Sequence, residues 1–157
     1  SGRMNLFVVP FTEIQEQIGR HCPEELFTII MRRFMMRISE KIAKREKCQA
    51  LITGESVGQV ASQTLGAIVC TDAAADMPVF RPLIGMDKDE IVAISRKIDT
   101  FELSIQPYED CCTVFTPKHP RTKPQLKFVK LAEEQMDAEA LIARAIEGIE
   151  LLNISNS

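Results

Sequence analysis

Two periods of apolar residues organise the first third of the chain. Leu6 to Val9 is a short run of strand character, stopped by Pro10. From Thr12 the spacing turns helical, with Thr12 as the expected N-cap and Gln15 in capping-box position, and this helix fades at Gly19. A longer helix begins at Pro23-Glu24-Glu25, where proline in the first turn and two acids suit the positive end of the dipole, and it runs to about Lys47. Phe27, Ile30, Met31, Phe34, Ile38 and Ile42 repeat at helical spacing and form its buried stripe, flanked by Arg32, Arg33 and Arg37.

Strand and helix signals then alternate. Gln49 to Thr53 reads as a strand, Gly54 as a turn, and Gly58 to Leu65 as a helix. Asp72 to Met77 has loop character with helical tendency. Val79 to Leu83 is a strand with an irregular end, because Pro82 lies within it. Asp87-Lys88-Asp89-Glu90 is a capping-box start for a helix whose buried face is Ile91, Val92, Ile94 and Ile98. Phe101 to Pro107 reads as extended and Tyr108 to Pro124 as loop. Lys127 to Ile154 is mostly helical, in two pieces with Asp137 as the cap between them, and Leu141, Ala145, Ile149 and Leu152 give the period. Alternation of this kind predicts an α/β fold with a parallel sheet flanked by helices.

Composition sets bounds on this picture. At 157 residues, 45 % hydrophobic and 26 % charged, the chain is one domain with at most a small appendage and can bury a sizeable core. A net charge of −3 does not advertise nucleic acid, so any such contact must come from a local patch. Cys22, Cys48, Cys70, Cys111 and Cys112 are odd in number and lack a framework spacing, which points to reduced thiols and a cytoplasmic setting. No run is long and apolar enough to expect a membrane span. Ser1-Gly2-Arg3 has the look of a tag remnant and is left out of fold reasoning.

Four features bear on chemistry. A strand, a glycine turn and a helix start around Gly54 would place a pocket at the carboxyl end of a strand, with backbone N–H groups free for polar or anionic ligands. Glycine there permits a positive φ or the close approach of a ligand; a plain strand–helix connection is the structural alternative. Gln63 is placed to reach a base or ribose edge. Arg32 is either an edge residue reaching outward or a phosphate clamp, and Arg33 and Arg37 compete for the second role.

Cys111-Cys112 stands in a proline-flanked loop where a relaxed mutual disulfide is difficult. Thr113 to Ala132 holds no acid but does hold Lys118, Arg121, Lys123, Lys127 and Lys130. That patch would favour the thiolate, although Glu109 and Asp110 oppose it, and two inert thiols are the alternative. The basic run also suits the backbone of RNA, with Phe115 and Phe128 available for stacking, or is simply a solvated face. His119 stands alone, and no residues show metal-ligand spacing.

Four segments, taken together, resemble the catalytic domain of the tRNA 4-thiouridine synthetases, sulfurtransferases shared with thiamine thiazole synthesis. They are Met31 to Arg37, Thr53 to Thr64, Arg81 to Ile84, and Pro107 to Pro117. The resemblance covers roughly residues 5 to 154 and implies a Rossmann-like adenine nucleotide alpha hydrolase fold. It also implies ATP, with magnesium, as the cofactor. ATP would activate O4 of a tRNA uridine as an adenylate, and a cysteine persulfide would deliver sulfur to C4, one hard substitution split into two easier ones. Carried over by motif, Arg32, Gly54 and Gln63 contact ATP, and Glu55 and Ser56 are neighbours at the same turn. Cys112 matches the sulfur-carrying cysteine, with Cys111 as the alternative or as a resolving thiol. The implied partners are tRNA, a cysteine desulfurase or other persulfide donor, a sulfur-carrier protein in thiazole synthesis, and a second copy in a homodimer.

The family's Ser-Gly-Gly-x-Asp-Ser phosphate loop has no counterpart in this sequence, nor do its N-terminal RNA-binding region and rhodanese domain. The expectation is therefore that residues 4–154 are the C-terminal part of an ATP pyrophosphatase domain, incomplete at its N-terminal end and inactive alone. Two alternatives remain: another adenylating RNA thiolase of the same superfamily, and a non-catalytic dimerisation or RNA-docking module.

Overall fold

The computed structural model describes residues 2–58, 63–107 and 120–155. Strand β1, Arg3–Val8, is followed by helix α1, Thr12–His21. Phe11 rather than Thr12 is the N-cap, no side chain caps this end, and the helix continues through Gly19. A single 3-10 turn at Glu24–Leu26 leads into α2, Phe27–Arg45.

Helix α2 is the axis of the fold. It packs against α1, against β2 (Leu51–Ile52) and against α3 (Leu65–Asp72). It also packs against α6 (Leu126–Glu133) and α7 (Ala138–Glu147). The apolar stripe explains this. Phe27, Ile30, Met31, Phe34 and Ile38 are buried together with Ile14, Ile18, Cys70, Val129 and Ile142 in one core, and Ile42 packs partly against it. Each fully buried side chain of this size contributes about 1.5–3 kcal/mol.

The sheet content is smaller than the strand signals suggested. β2 pairs in parallel with β3, Val79–Phe80, over two residues each. β1 instead pairs antiparallel with β4, Glu150–Ser155, in a separate ribbon. The expected C-terminal helical stretch is thus corrected. Asp137 does cap α7 by accepting from the Ala140 N–H, but the helix stops at Gly148 and Leu152 lies in a strand facing Leu6.

Two further expectations are corrected. Phe101 to Pro107 is not extended: Phe101–Ser104 forms a short helix, α5, packed on α4, Lys88–Lys97. The Asp87–Glu90 capping box is present in both directions, yet α4 buries none of its residues, and Ile94 and Ile98 are exposed. No helix among the described residues is long and apolar enough to cross a membrane.

Candidate nucleotide site at the ends of two parallel strands

The chain leaving β2 and the chain leaving β3 run side by side. Thr53 N–H donates to Phe80 O at 3.0 Å and Val57 N–H to Ile84 O at 3.0 Å, which extends the pairing past the strands. Between them the sequence Thr53-Gly54-Glu55-Ser56 turns back inward, and Glu55 and Ser56 are buried. Ser56 Oγ donates to Met86 O at 2.6 Å, fixing the turn to the loop after β3.

Contrary to what its sequence suggested, the backbone N–H groups of the turn are not all free for a ligand. Helix α3 starts at Leu65, capped by the Thr64 side chain, and of the helix expected over Gly58 to Leu65 residues 59–62 lie outside the described residues. Ser56 N–H donates to Gln63 Oε1 at 2.9 Å and Gly58 N–H to Gln63 O at 3.1 Å, so both donors are occupied. The positive φ belongs to Gly58, at 83°, and not to Gly54. Among the described residues nothing lies within 4 Å of where a Cβ on Gly54 would sit, so the backbone there is open to approach. Gln63 braces the turn with its carbonyl oxygen, which leaves its Nε2 donor uncommitted among the described residues.

Of the four arginines of α2, the three that flank its apolar stripe, Arg32, Arg33 and Arg37, separate cleanly. Arg33 is 1 % exposed and bonds Glu133 on α6 and the Cys70 carbonyl on α3. Arg37 Nη2 donates to the same Glu133, at 2.7 Å. Arg32 alone turns to the glycine turn: its Nη2 lies 2.5 Å from Glu55 Oε1, and its side chain is 22 % exposed. Of the three, only Arg32 is placed to meet a ligand there.

Glu55 organises the cluster. Its Oε2 accepts from Thr53 Oγ1 at 2.8 Å and from Arg81 Nε at 2.8 Å, while Oε1 holds Arg32. Arg81, just past β3, is 12 % exposed and also reaches Asp72 Oδ1 at 2.9 Å. Burial pushes the Glu55 carboxyl up, but the Thr53 hydroxyl and the Arg32 and Arg81 guanidiniums together outweigh it, and the group sits below its usual range. Arg32 and Arg81 share the Glu55 carboxylate, and Arg81 also meets Asp72, so the charges of the cluster balance. Neither Glu55 nor Arg81 stood out by spacing. The signal for both was membership of the motif segments Thr53 to Thr64 and Arg81 to Ile84.

An open groove of about 1120 Å³ elsewhere is lined by Phe7, Val9, Met35, Ile38, Ile42 and Leu51 among others. It contains none of the predicted site residues. Cys111, Cys112, Phe115, Lys118 and His119 lie outside the described residues. No group of three or more metal-ligating side chains occurs among the described residues.

Comparisons with known proteins point the same way. The family described as "Thiamine biosynthesis protein (ThiI)" matches residues 1–138. A protein of Acetivibrio thermocellus named "Probable tRNA sulfurtransferase" is 59% identical over 153 residues, covering 98% of this chain and 39% of that protein. One of Clostridium perfringens with the same name is 55% identical over 148 residues, covering 94% and 38%. Among solved structures, a 4-thiouridine synthetase in complex with RNA and bound ATP superposes with a TM-score of 0.93 at 37% identity, over 98% of this chain and 40% of that one. The chain thus spans about two fifths of the length of each of these relatives.

Proposed function

The chain belongs to the ThiI family of thiamine biosynthesis proteins, and from that premise we propose that it is the part of an ATP-dependent tRNA sulfurtransferase that forms one wall of the nucleotide pocket. The observation that carries the proposal is the Arg32–Glu55 pair at the Gly54 turn. It sets a guanidinium with donors uncommitted among the described residues beside a glycine that leaves room for a ligand.

The residues present fit a nucleotide. Arg32 offers planar donors to an anionic oxygen, Gln63 Nε2 offers a donor to a base or ribose edge, and Gly54 lets either approach the backbone. A related 4-thiouridine synthetase solved with RNA and bound ATP supports ATP as the ligand. When bound, ATP supplies the activating group that turns O4 of a tRNA uridine into a leaving group. Arg32 and Gln63 would orient the nucleotide, and magnesium would supply charge neutralisation for its phosphates. Cys112 is assigned as the thiol that carries persulfide sulfur to C4, with Cys111 beside it as the alternative carrier or a resolving thiol.

The proposed partners are tRNA, a cysteine desulfurase or other persulfide donor, a sulfur-carrier protein if thiazole synthesis is a second duty, and a second copy of the chain. Free thiols at Cys22, Cys48 and Cys70 support a cytoplasmic location. The phosphate-binding half of the site is assigned to a segment outside residues 4–154, so adenylation is expected of the full-length protein only.

The test separates the two half-reactions. In the full-length protein, Cys112→Ser should abolish 4-thiouridine while pyrophosphate release from ATP on tRNA continues. Retained thiolation in Cys112→Ser together with loss in Cys111→Ser would move the sulfur to Cys111. Loss of neither product in either variant would remove both cysteines from the reaction.

A further inference from the structure

We propose that Glu55 is a positioning residue for the nucleotide site: held by Thr53 and Arg81, it fixes the guanidinium of Arg32 in the orientation that meets the ligand. This rests on the reading of Arg32 as a nucleotide contact and adds to it the device that aims the side chain.

The geometry has three parts. Glu55 is 3 % exposed, so it touches no bulk solvent and is poorly placed to act on substrate itself. Its two oxygens are divided between the ligand-facing arginine and two supports, Oε1 to Arg32 and Oε2 to Thr53 and Arg81. The supports come from different elements: Thr53 leaves β2, Arg81 leaves β3, and Arg32 projects from α2. One carboxylate therefore ties the pocket's arginine to the ends of both parallel strands.

Arg81 is directed at this task. It commits Nε to Glu55 and Nη1 to Asp72 and the Val79 carbonyl, while its buried Nη2 has no hydrogen-bond partner among the described residues. An unsatisfied buried donor is a cost. It is tolerated where the remaining contacts hold a functional group in place. An arginine side chain free to sample its rotamers would lose that freedom on binding; one already clamped has lost it on folding, and binds more tightly for that reason.

The test uses the full-length protein with tRNA, ATP and a persulfide donor, reading 4-thiouridine formed against ATP concentration. Glu55→Gln should raise KM for ATP roughly tenfold while kcat stays within about threefold, the pattern of lost ground-state binding. A carboxamide between two arginines can also prevent folding, so Thr53→Val is the second variant. It keeps a β-branched side chain of similar size and removes one donor. Its KM should rise roughly threefold.

Thr53→Val should also move the acid limb of the KM–pH profile to higher pH. Glu55 then loses a hydrogen bond that holds its carboxyl low and protonates sooner as pH falls, with Arg32, Arg81 and, through Arg81, Asp72 as the charges that remain around it. A merely structural role would lower the yield of folded protein and leave both the KM and the limb in place. A folded Thr53→Val with unchanged KM and an unmoved limb overturns the proposal. Thiolation by the unsubstituted protein that needs no ATP overturns the parent reading, and this inference with it.

Discussion

Arg33 on α2 and Glu133 at the end of α6 form a buried two-pronged ion pair, with Nε to Oε1 at 2.6 Å and Nη2 to Oε2 at 3.2 Å. The arginine is 1 % exposed and its third contact is the Cys70 carbonyl, so one side chain joins α2, α3 and α6. Removing one partner of such a pair leaves a charge buried without compensation. The two deletions differ, because Glu133 keeps Arg37 when Arg33 is lost, whereas Arg33 keeps no carboxylate when Glu133 is lost. Arg33→Met is expected to cost about 3 kcal/mol and Glu133→Gln more than that, read from urea unfolding midpoints. The reverse order would mean that the carbonyl contact, not the ion pair, holds the arginine.

Gly148 ends α7 two residues before β4 begins at Glu150, and a Cβ built there would meet Pro10 Cγ at 2.6 Å. The backbone φ is −85°, so alanine suffers no torsional strain, only the clash with a ring that cannot swing aside. Gly148→Ala should lose about 1–3 kcal/mol. Gly66 is the contrast: its Cβ would meet Pro124 at 3.5 Å, an ordinary contact, inside helix α3. Gly66→Ala should gain up to about 1 kcal/mol in helix preference. Thermal melts of the two variants should shift in opposite directions.

Thiol reactivity should follow burial and charge. Burial, aided by the Glu133 carboxylate, pushes the Cys22 thiol up to about 11, and burial raises Cys70 as well, against a lowering by Arg33. Cys48 is exposed. Near neutral pH, alkylation followed by peptide mass analysis should modify Cys48 before Cys22, and Cys70 last. Early loss of Cys70 would show that the α2–α3 packing opens readily.

Acid should weaken the site end of the fold. The Glu55 carboxyl lies below the usual 4.5 despite the opposing effect of burial, and Glu40 is lowered by its hydrogen bond from Lys44. A carboxyl lowered on folding gives its full stabilisation above the unfolded value and loses it as pH falls through the lower folded value. Stability should therefore hold down to about pH 5 and fall below it. Replacing Glu55 by Gln should flatten that fall. An equal acid slope in Glu55→Gln would show that its charge contributes nothing to folding.

What the sequence disclosed was local. The Asp87–Glu90 box closes within one turn and depends on nothing distant, and the α2 stripe is long enough for its period to be unambiguous. Strand β4 was not legible, because Ile149 and Leu152 continue a helical count from Leu141 and Ala145, and only pairing with the other end of the chain makes Glu150–Ser155 a strand. The site shows the same division. Arg32, Gly54 and Gln63 could be named from motif segments. That Glu55 binds both Arg32 and Arg81 could not, because the three residues come from different elements and meet only through the tertiary fold.

The most direct measurement is ATP-dependent formation of 4-thiouridine on unmodified tRNA by the full-length protein, compared with its Arg32→Ala variant. The account predicts product only when ATP is present, and a KM for ATP raised roughly tenfold or more in the variant, the loss of a charged hydrogen-bonding contact. A folded Arg32→Ala protein with unchanged ATP affinity would contradict the placement of the nucleotide at the Gly54 turn.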